Sequence, residues 1–107
     1  MNTFEEFQRL ATEVPLSLRN NLDRINLPVV GLQAEARRIG ALLTAASASG
    51  QFSLAPEQRN QLRDRLADTL WYVALLCAEA GIPMKDIATH CVAQLRERAR
   101  NLDPDRR

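Results

Sequence analysis

The sequence predicts an all-α protein, a bundle of four or five helices. Apolar residues recur every three or four positions along most of the chain, no stretch alternates apolar with polar residues as a strand does, and prolines and glycines separate the periodic segments. A chain of 107 residues fits one domain, residues 1–107, in which residues 102–107 form a flexible tail. Short connections between the helices favour antiparallel neighbours.

Composition narrows the classes of partner and the location. The 14 basic and 13 acidic residues give a net charge of +1, so no general field attracts nucleic acid or a membrane surface. The first residues lack the basic and apolar pattern of a signal peptide, and the longest strongly apolar stretch, residues 70–78, is too short to cross a bilayer. We therefore expect a cytoplasmic protein that binds neither nucleic acid nor membrane.

Cysteine and histidine usage argues against a zinc site. Cys77 and Cys91 lack a CxxC spacing and lie in apolar helical patterns, which is typical of reduced core residues. His90 is the single histidine of the sequence, and a tetrahedral zinc site needs more nitrogen and sulfur ligands. We expect His90 to be a partly exposed side chain.

The first half of the chain predicts two helices. The first begins at Thr3, whose hydroxyl can cap it while Glu6 completes a capping box, and Pro15 ends it. Residues 15–27 are ambiguous, because they fit either a break or a short helix. Pro28 suits the first turn of the second helix, which fades towards a flexible loop at residues 49–55. The apolar positions of the second helix are Val29, Leu32, Ala36, Ile39 and Leu43.

The second half of the chain predicts two further helices. Pro56 lies in the first turn of the third helix and Gly81 ends it, while the fourth opens at Pro83 and runs to about Asn101. Two apolar stripes on the third helix place it at the centre of the bundle or at an oligomer interface. Its main stripe comprises Leu62, Leu66, Leu70, Val73 and Cys77, and its second comprises Trp71, Leu75 and Ala78. The expected buried face of the fourth helix comprises Ile87, Cys91, Leu95 and Ala99.

One acid stands in the apolar part of the third helix. Between residues 66 and 78 the polar groups are those of Asp68, Thr69 and the Tyr72 hydroxyl. A carboxylate in such surroundings is costly to desolvate unless a cation pairs with it. Two interpretations of Asp68 remain open: a salt bridge to a core-facing arginine, which the physical argument favours, or a metal ligand or catalytic acid.

A second acid lies at the border of the apolar stripe on the second helix. This acid is Glu35, and Arg38 follows it by three residues on the same side of the helix. On the third helix, Arg65 precedes Asp68 by the same spacing. If the two helices are antiparallel neighbours, the two acids and the two arginines can meet.

Several sequence segments occur in an informative order. They are a Thr-Phe-Glu-Glu-Phe opening, a Gly-Leu-x-x-Glu helix, a variable loop, the segment Leu66–Tyr72 with the sequence Leu-Ala-Asp-Thr-Leu-Trp-Tyr, and a last helix after Gly-Ile-Pro. From residue 3 to about residue 100, this order resembles that of the MazG-type all-α NTP pyrophosphohydrolases. The segment Leu66–Tyr72, followed by Gly81-Ile82, is the most specific part of the resemblance.

The resemblance implies a MazG-like helical fold, assembly as a homodimer or homotetramer, and hydrolysis of nucleoside triphosphates to monophosphate and pyrophosphate. The family motif is E-x-x-E on one helix and E-x-x-D on the next, and its carboxylates hold Mg²⁺, a cation that prefers oxygen ligands. A base among them activates the attacking water. By position, Glu35 and Asp68 match the first and last acids of the motif, so they are the implied metal ligands and candidate catalytic residues.

Two arginines depart from the family motif. Arg38 and Arg65 stand where its other two acids belong, which changes the local formal charge from about −4 to about 0 and removes the attraction for a dication. Arg38 can neutralise Asp68, and Arg65 can neutralise Glu35. We hypothesise that a salt-bridge network has replaced the metal, so that Mg²⁺ is a cofactor only if the protein is active and there is otherwise none.

Asp64 offers an alternative acid. It lies four residues before Asp68 on roughly the same side of the helix, so Glu35, Asp64 and Asp68 can form a distorted catalytic site. A surface position for Asp64, paired with a neighbouring arginine, is the favoured interpretation.

Two further residues are candidates for substrate binding together with Arg38 and Arg65. In the last helix the family often has Asn-x-x-Lys-Leu-x-x-Arg, of which only Leu95 and Arg98 agree, so Arg98 is implied as a phosphate ligand. Trp71 can stack on a nucleobase, although a core or interface position is commoner at its spacing.

Three functions follow as hypotheses. The first is a degenerate MazG-like protein with impaired or lost hydrolysis that still binds a nucleotide or phosphate-containing small molecule. The second is an active NTP pyrophosphohydrolase that uses Glu35, Asp64 and Asp68. The third is a non-catalytic helical assembly or interaction module.

Overall fold

The computed structural model describes residues 3–13 and 21–102. Within these ranges, all of the regular secondary structure is α-helical. The helices are α1 (Thr3–Glu13), α2 (Asn21–Ala46), α3 (Pro56–Ala80) and α4 (Met84–Leu102). The all-α class predicted from the sequence is therefore confirmed, with four helices in the described ranges. The predicted end of the first helix at Pro15 and the tail beyond residue 102 lie outside the described residues. Leu102 is the last residue of α4.

The start of α2 differs from the prediction. The helix already runs from Asn21, and Pro28 lies inside it instead of in its first turn. A proline within a helix removes one backbone hydrogen bond and crowds the carbonyl four residues earlier, here that of Arg24. The Pro28 ring is fully buried, and this burial offsets part of the backbone cost. The ambiguous stretch before Pro28 is thus helical from residue 21 onward.

Both predicted ends of α3 are confirmed. Pro56 opens the helix, where its missing N–H has no partner to lose. Gly81 ends it with φ of 70°, a left-handed conformation that glycine adopts without steric cost. The Gly81 N–H donates to the Ala78 carbonyl at 3.3 Å, and the Ile82 N–H donates to the Cys77 carbonyl at 3.0 Å. These bonds satisfy carbonyls that the end of the helix leaves without partners.

α3 is the central element of the described fold. It packs against α2 on one side and against α1 on another. The indole N–H of Trp71 donates to the backbone carbonyl of Ala11 on α1, with an N···O distance of 3.4 Å. The buried apolar side chains of the described residues are small: they are Ala11, Pro28, Ala46, Ala74 and Cys77. The predicted central position of the third helix agrees with this packing.

The predicted burial of α4 is wrong for a single chain. The axis of α4 is turned by 109° from that of α3. No residue of α4 is buried. All four members of its expected buried face are exposed: Ile87, Cys91, Leu95 and Ala99. Cys77 is buried as predicted, but Cys91 is exposed.

A membrane-spanning helix must be both long and apolar. Within residues 3–13 and 21–102, no helix meets both requirements alone; α3 and α4 meet them only when taken together across their 109° bend.

Candidate functional site

The close approach of α2 and α3 begins at Gly31 and Tyr72. A Cβ atom added to Gly31 would lie 2.5 Å from Cζ of Tyr72 and 2.7 Å from its Cε2, far inside van der Waals contact. The Tyr72 ring therefore rests on the backbone of α2 at a place where only glycine leaves room. This contact fixes the register in which the two antiparallel helices meet.

One turn further along α2, the same register buries Glu35. Its side chain is 1% exposed, the lowest value of any charged group in the described residues. Oε1 of Glu35 accepts a hydrogen bond from Nη1 of Arg38 at 2.8 Å and another from Nη1 of Arg65 at 3.3 Å. The first bond lies within α2, and the second joins α2 to α3. A buried carboxylate thus has two cations on one of its oxygens, which offsets much of its desolvation cost.

Asp68 occupies the outer edge of this cluster. Nη2 of Arg65 lies 3.5 Å from Oδ2 of Asp68, so Arg65 contacts both acids. The Asp68 side chain is 45% exposed, which corrects the expectation that it is the desolvated acid. The two acids differ in exposure because Glu35 faces α3 directly, whereas Asp68 lies at the edge of the α2–α3 contact and borders solvent.

The four charged groups that the sequence singled out lie together, and one of the two predicted pairs forms. The cross-helix pair between Arg65 and Glu35 is present. The predicted pair between Arg38 and Asp68 is not among the ion pairs of the described residues. Arg38 pairs with Glu35 on its own helix, and Arg65 serves Asp68. We call these four residues the ion cluster.

The ion cluster is neutral in formal charge but not fully satisfied in hydrogen bonding. Its two carboxylates balance its two guanidinium groups. Oε2 of Glu35 is buried and has no hydrogen-bond partner among the described residues. Because that oxygen adds to the desolvation cost of the carboxylate, the burial of Glu35 depends strongly on its ion pairs with both arginines.

The donor set of the ion cluster does not fit Mg²⁺. Magnesium requires near-octahedral oxygen coordination, usually with carboxylates free to bind it. Oε1 of Glu35 is already bound by two guanidinium groups, and these cations would repel a dication. Over residues 3–13 and 21–102, no three His, Cys, Asp or Glu side chains converge on a possible metal position. Asp64 is exposed and takes no part in the cluster, so the alternative set of Glu35, Asp64 and Asp68 gains no geometric support.

Trp71 and Tyr72 pack α3 against its two neighbours, α1 and α2. Their rings stack with centroids 5.8 Å apart and an interplanar angle of 21°. Trp71 reaches α1 through its hydrogen bond to Ala11, while Tyr72 contacts α2 at Gly31. The indole also lines an open apolar groove with Phe7 and Leu10. The position of Trp71 is thus that of a packing residue with one accessible edge.

Arg98, the remaining residue implied as a phosphate ligand, lies on α4. It is exposed and takes no part in the ion cluster within one chain. His90 is also exposed on α4.

Sequence reasoning missed the contact between Gly31 and Tyr72. A usable signal was present, because a glycine inside a helical pattern costs about 1 kcal/mol relative to alanine and often has a packing reason. Gly40 carries the same signal without such a contact, since a Cβ added there meets nothing within 4 Å. The sequence alone therefore does not separate the two glycines.

Comparisons of the chain with family models, curated proteins and solved structures found no match in any of the three.

Proposed function

We propose that this chain is a MazG-like protein that has lost Mg²⁺-dependent hydrolysis of nucleoside triphosphates and retains binding of a nucleotide or another phosphate-containing small molecule. The observation that carries the proposal is the sharing of buried Glu35 between Arg38 and Arg65. These arginines stand at the positions where the resemblance implies two of the four metal-binding acids.

Loss of hydrolysis follows from charge. A site with four carboxylates attracts a dication, whereas the ion cluster sums to zero and directs guanidinium groups at the carboxylate that the metal would need. Displacing either arginine to admit Mg²⁺ would break ion pairs with a buried acid. Such a disruption typically costs about 3–5 kcal/mol.

Retained phosphate binding is supported by the unused donors of the two arginines. A guanidinium group carries five N–H donors. Arg38 uses one nitrogen in the ion cluster and its side chain is 58% exposed, while Arg65 uses two nitrogens and is 32% exposed. Arg38 therefore keeps a second terminal nitrogen for phosphate oxygens, whereas both terminal nitrogens of Arg65 already pair with Glu35 and Asp68.

The proposal is tested with two measurements on the intact chain. Incubation with Mg²⁺ and a panel of NTPs and dNTPs is expected to release no pyrophosphate above the protein-free blank. Thermal unfolding with the same nucleotides is expected to show a rise in Tm, because a ligand that binds only the folded state stabilises it. Nucleotide-dependent release of pyrophosphate would overturn the loss of hydrolysis and favour an active enzyme that uses Glu35, Asp64 and Asp68.

A matched pair of variants tests where the nucleotide binds. Arg38→Gln is expected to abolish the nucleotide-induced rise in Tm. Arg63→Gln is the control, because Arg63 is an exposed arginine of α3 that bonds to Asn60 and lies outside the ion cluster. An equal loss in both variants would show that binding depends on general positive charge instead of on this site.

A second function, a helical assembly module, is favoured by a different observation. α4 is amphipathic in sequence, yet none of its residues is buried in the single chain. A helix of this kind gains most of its stability from packing its apolar face against another element. We propose assembly into a homodimer or homotetramer on this ground; if the chain is monomeric at micromolar concentration, this second function fails while the first is unaffected.

A further inference from the structure

Two apolar faces have no covering element among the residues that the structure describes. One lies on α3 and includes Leu66 and Leu70, both of which are exposed although they belong to the apolar stripe of the central helix. The other runs along α4 through Ile87, Leu95 and Leu102, which are also exposed. We call these the α3 face and the α4 face. Unpaired apolar surface of this kind on the central helix of a bundle indicates a missing neighbour.

Within residues 3–13 and 21–102, the two faces do not cover each other. Other sides of α3 pack against α2 and α1, so the α3 face is the place where a fourth helix would complete a bundle. The axis of α4 is turned by 109° from that of α3 and none of its residues is buried, so α4 does not cover that face in the single chain. The turn is fixed by the left-handed Gly81 and by the hydrogen bond from the Ile82 N–H to the Cys77 carbonyl.

We propose that a second copy of this chain supplies the missing helix: the α4 face of each copy covers the α3 face of the other. The pairing is reciprocal and has twofold symmetry, which closes the assembly at two copies through this contact. It specifies the assembly proposed above and does not depend on nucleotide binding.

The exposed area is of the size that such a dimer requires. The large apolar side chains of the two faces leave on the order of 500 Å² exposed per copy, against about 800 Å² buried per partner in a specific interface with its polar rim. The five side chains counted are Leu66, Leu70, Ile87, Leu95 and Leu102.

The N-terminal part of α2 also exposes apolar side chains, among them Ile25 and Val30. That helix is anchored in the chain by buried Pro28 and Glu35, whereas α4 has no buried residue. Val30 is 59% exposed, close to the 55% of Leu95, and therefore serves as a matched control for a change at an exposed apolar helix position.

The test compares molar mass in solution for the full chain and three variants by light scattering during size exclusion. The 12.0 kDa chain is expected to run as an assembly of at least twice its mass. Leu66→Lys and Leu95→Glu are each expected to shift it to monomer, because each replaces an apolar side chain in both reciprocal contacts. Val30→Glu is expected to leave the assembly intact. Circular dichroism checks that each variant remains helical.

Mixing the two dispersed variants separates the proposed pairing from others. When the Leu66→Lys and Leu95→Glu variants pair with each other, one of the two contacts joins the unchanged α4 face of the first to the unchanged α3 face of the second. The other contact joins the new lysine on α3 to the new glutamate on α4, which carry opposite charges. The mixture is therefore expected to recover the dimer.

Four results would overturn the pairing. A monomeric parent chain would overturn this inference and the assembly module together. If the parent chain assembles but the mixture fails to recover the dimer, the α4–α3 pairing is wrong while assembly stands. Dispersal by Val30→Glu, or assembly that survives Leu95→Glu, would place the interface elsewhere.

Discussion

Arg65 on α3 donates to the buried Glu35 carboxylate on α2 across the helix–helix contact, with Nη1 and Oε1 3.3 Å apart. The same guanidinium contacts Asp68 through its second terminal nitrogen at 3.5 Å. Arg65 thus connects an acid that is 1% exposed with one that borders solvent. This relationship explains why the two arginines and two acids that share a spacing in sequence act as one unit in the fold.

Replacing Arg65 is expected to destabilise the protein. In Arg65→Gln, Glu35 keeps only Arg38 as a cationic partner, and its buried charge is incompletely compensated. We expect the free energy of unfolding to fall by about 3 kcal/mol, the lower end of the range for breaking a buried ion pair, because Arg38 remains. Urea unfolding followed by circular dichroism measures the change.

Arg63→Gln is the control for that experiment. Arg63 lies on the same helix and is exposed, and its side chain bonds to Asn60. A surface change of this kind is expected to alter stability by less than about 0.5 kcal/mol. If the two variants were equally stable, the ion cluster would have no part in holding α2 to α3.

Two glycines of α2 are expected to respond to alanine with opposite signs. In Gly31→Ala, the new Cβ lies within 2.5 Å of the Tyr72 ring, which is itself stacked on Trp71 and has limited room to move. Overpacking of this kind costs about 1–3 kcal/mol, more than the gain of roughly 1 kcal/mol in helix propensity. In Gly40→Ala, nothing lies within 4 Å of the new Cβ, so only the gain in propensity remains.

Thermal or urea unfolding distinguishes the two glycine variants directly. Gly40→Ala is expected to be more stable than the parent chain, and Gly31→Ala less stable. A stabilising Gly31→Ala would mean that the Tyr72 ring is free to move away, and that this contact does not set the helix register.

The indole of Trp71 is expected to hold α1 in place. Trp71→Phe removes the N–H that donates to the Ala11 carbonyl and part of the ring that lies against α1. A lost hydrogen bond of this kind costs about 1 kcal/mol. Amide hydrogen exchange is therefore expected to accelerate in residues 3–13 more than in α2 or the centre of α3.

Tyr72→Phe provides the comparison for Trp71→Phe. It keeps the aromatic ring that rests on Gly31 and removes a hydroxyl. Exchange in residues 3–13 is expected to stay at the parent rate. Equal acceleration in both variants would indicate that the α1 contact depends on the stacked pair as a whole instead of on the indole N–H.

Local signals were sufficient for part of the fold. Pro56 and Gly81 fixed both ends of α3 because each acts through its own backbone conformation, without help from distant residues. The prediction that Pro28 lies in the first turn of α2 was wrong for the opposite reason. Its usual place at a helix start is a local preference, and burial of its ring against the rest of the fold overrides that preference.

The remaining differences depend on three-dimensional position. A periodic apolar face predicts that α4 buries its stripe, but it does not say whether the covering surface comes from the same chain. The sequence also predicted that Glu35, Arg38, Arg65 and Asp68 can meet, and they do, since helical spacing limits which side of its helix each group occupies. Which acid is buried depends on the register set by Gly31 and Tyr72, and the spacing of residues in the sequence does not predict that register.

By the function proposed above, Arg38 and Arg65 occupy the place that Mg²⁺ would take in the implied metal motif. The double variant Arg38→Glu, Arg65→Glu supplies the four carboxylates that the resemblance implies and changes the charge of the ion cluster from about 0 to about −4. In the absence of metal, repulsion among these acids is expected to lower the Tm of the variant below that of the parent chain.

Thermal unfolding of the parent chain and the double variant, with and without millimolar Mg²⁺, is the most direct measurement of this claim. We expect no Mg²⁺-dependent shift in Tm for the parent chain and a clear rise for the double variant, because a metal that binds the folded state stabilises it. A rise in the parent chain, or no rise in a folded double variant, would contradict the claim.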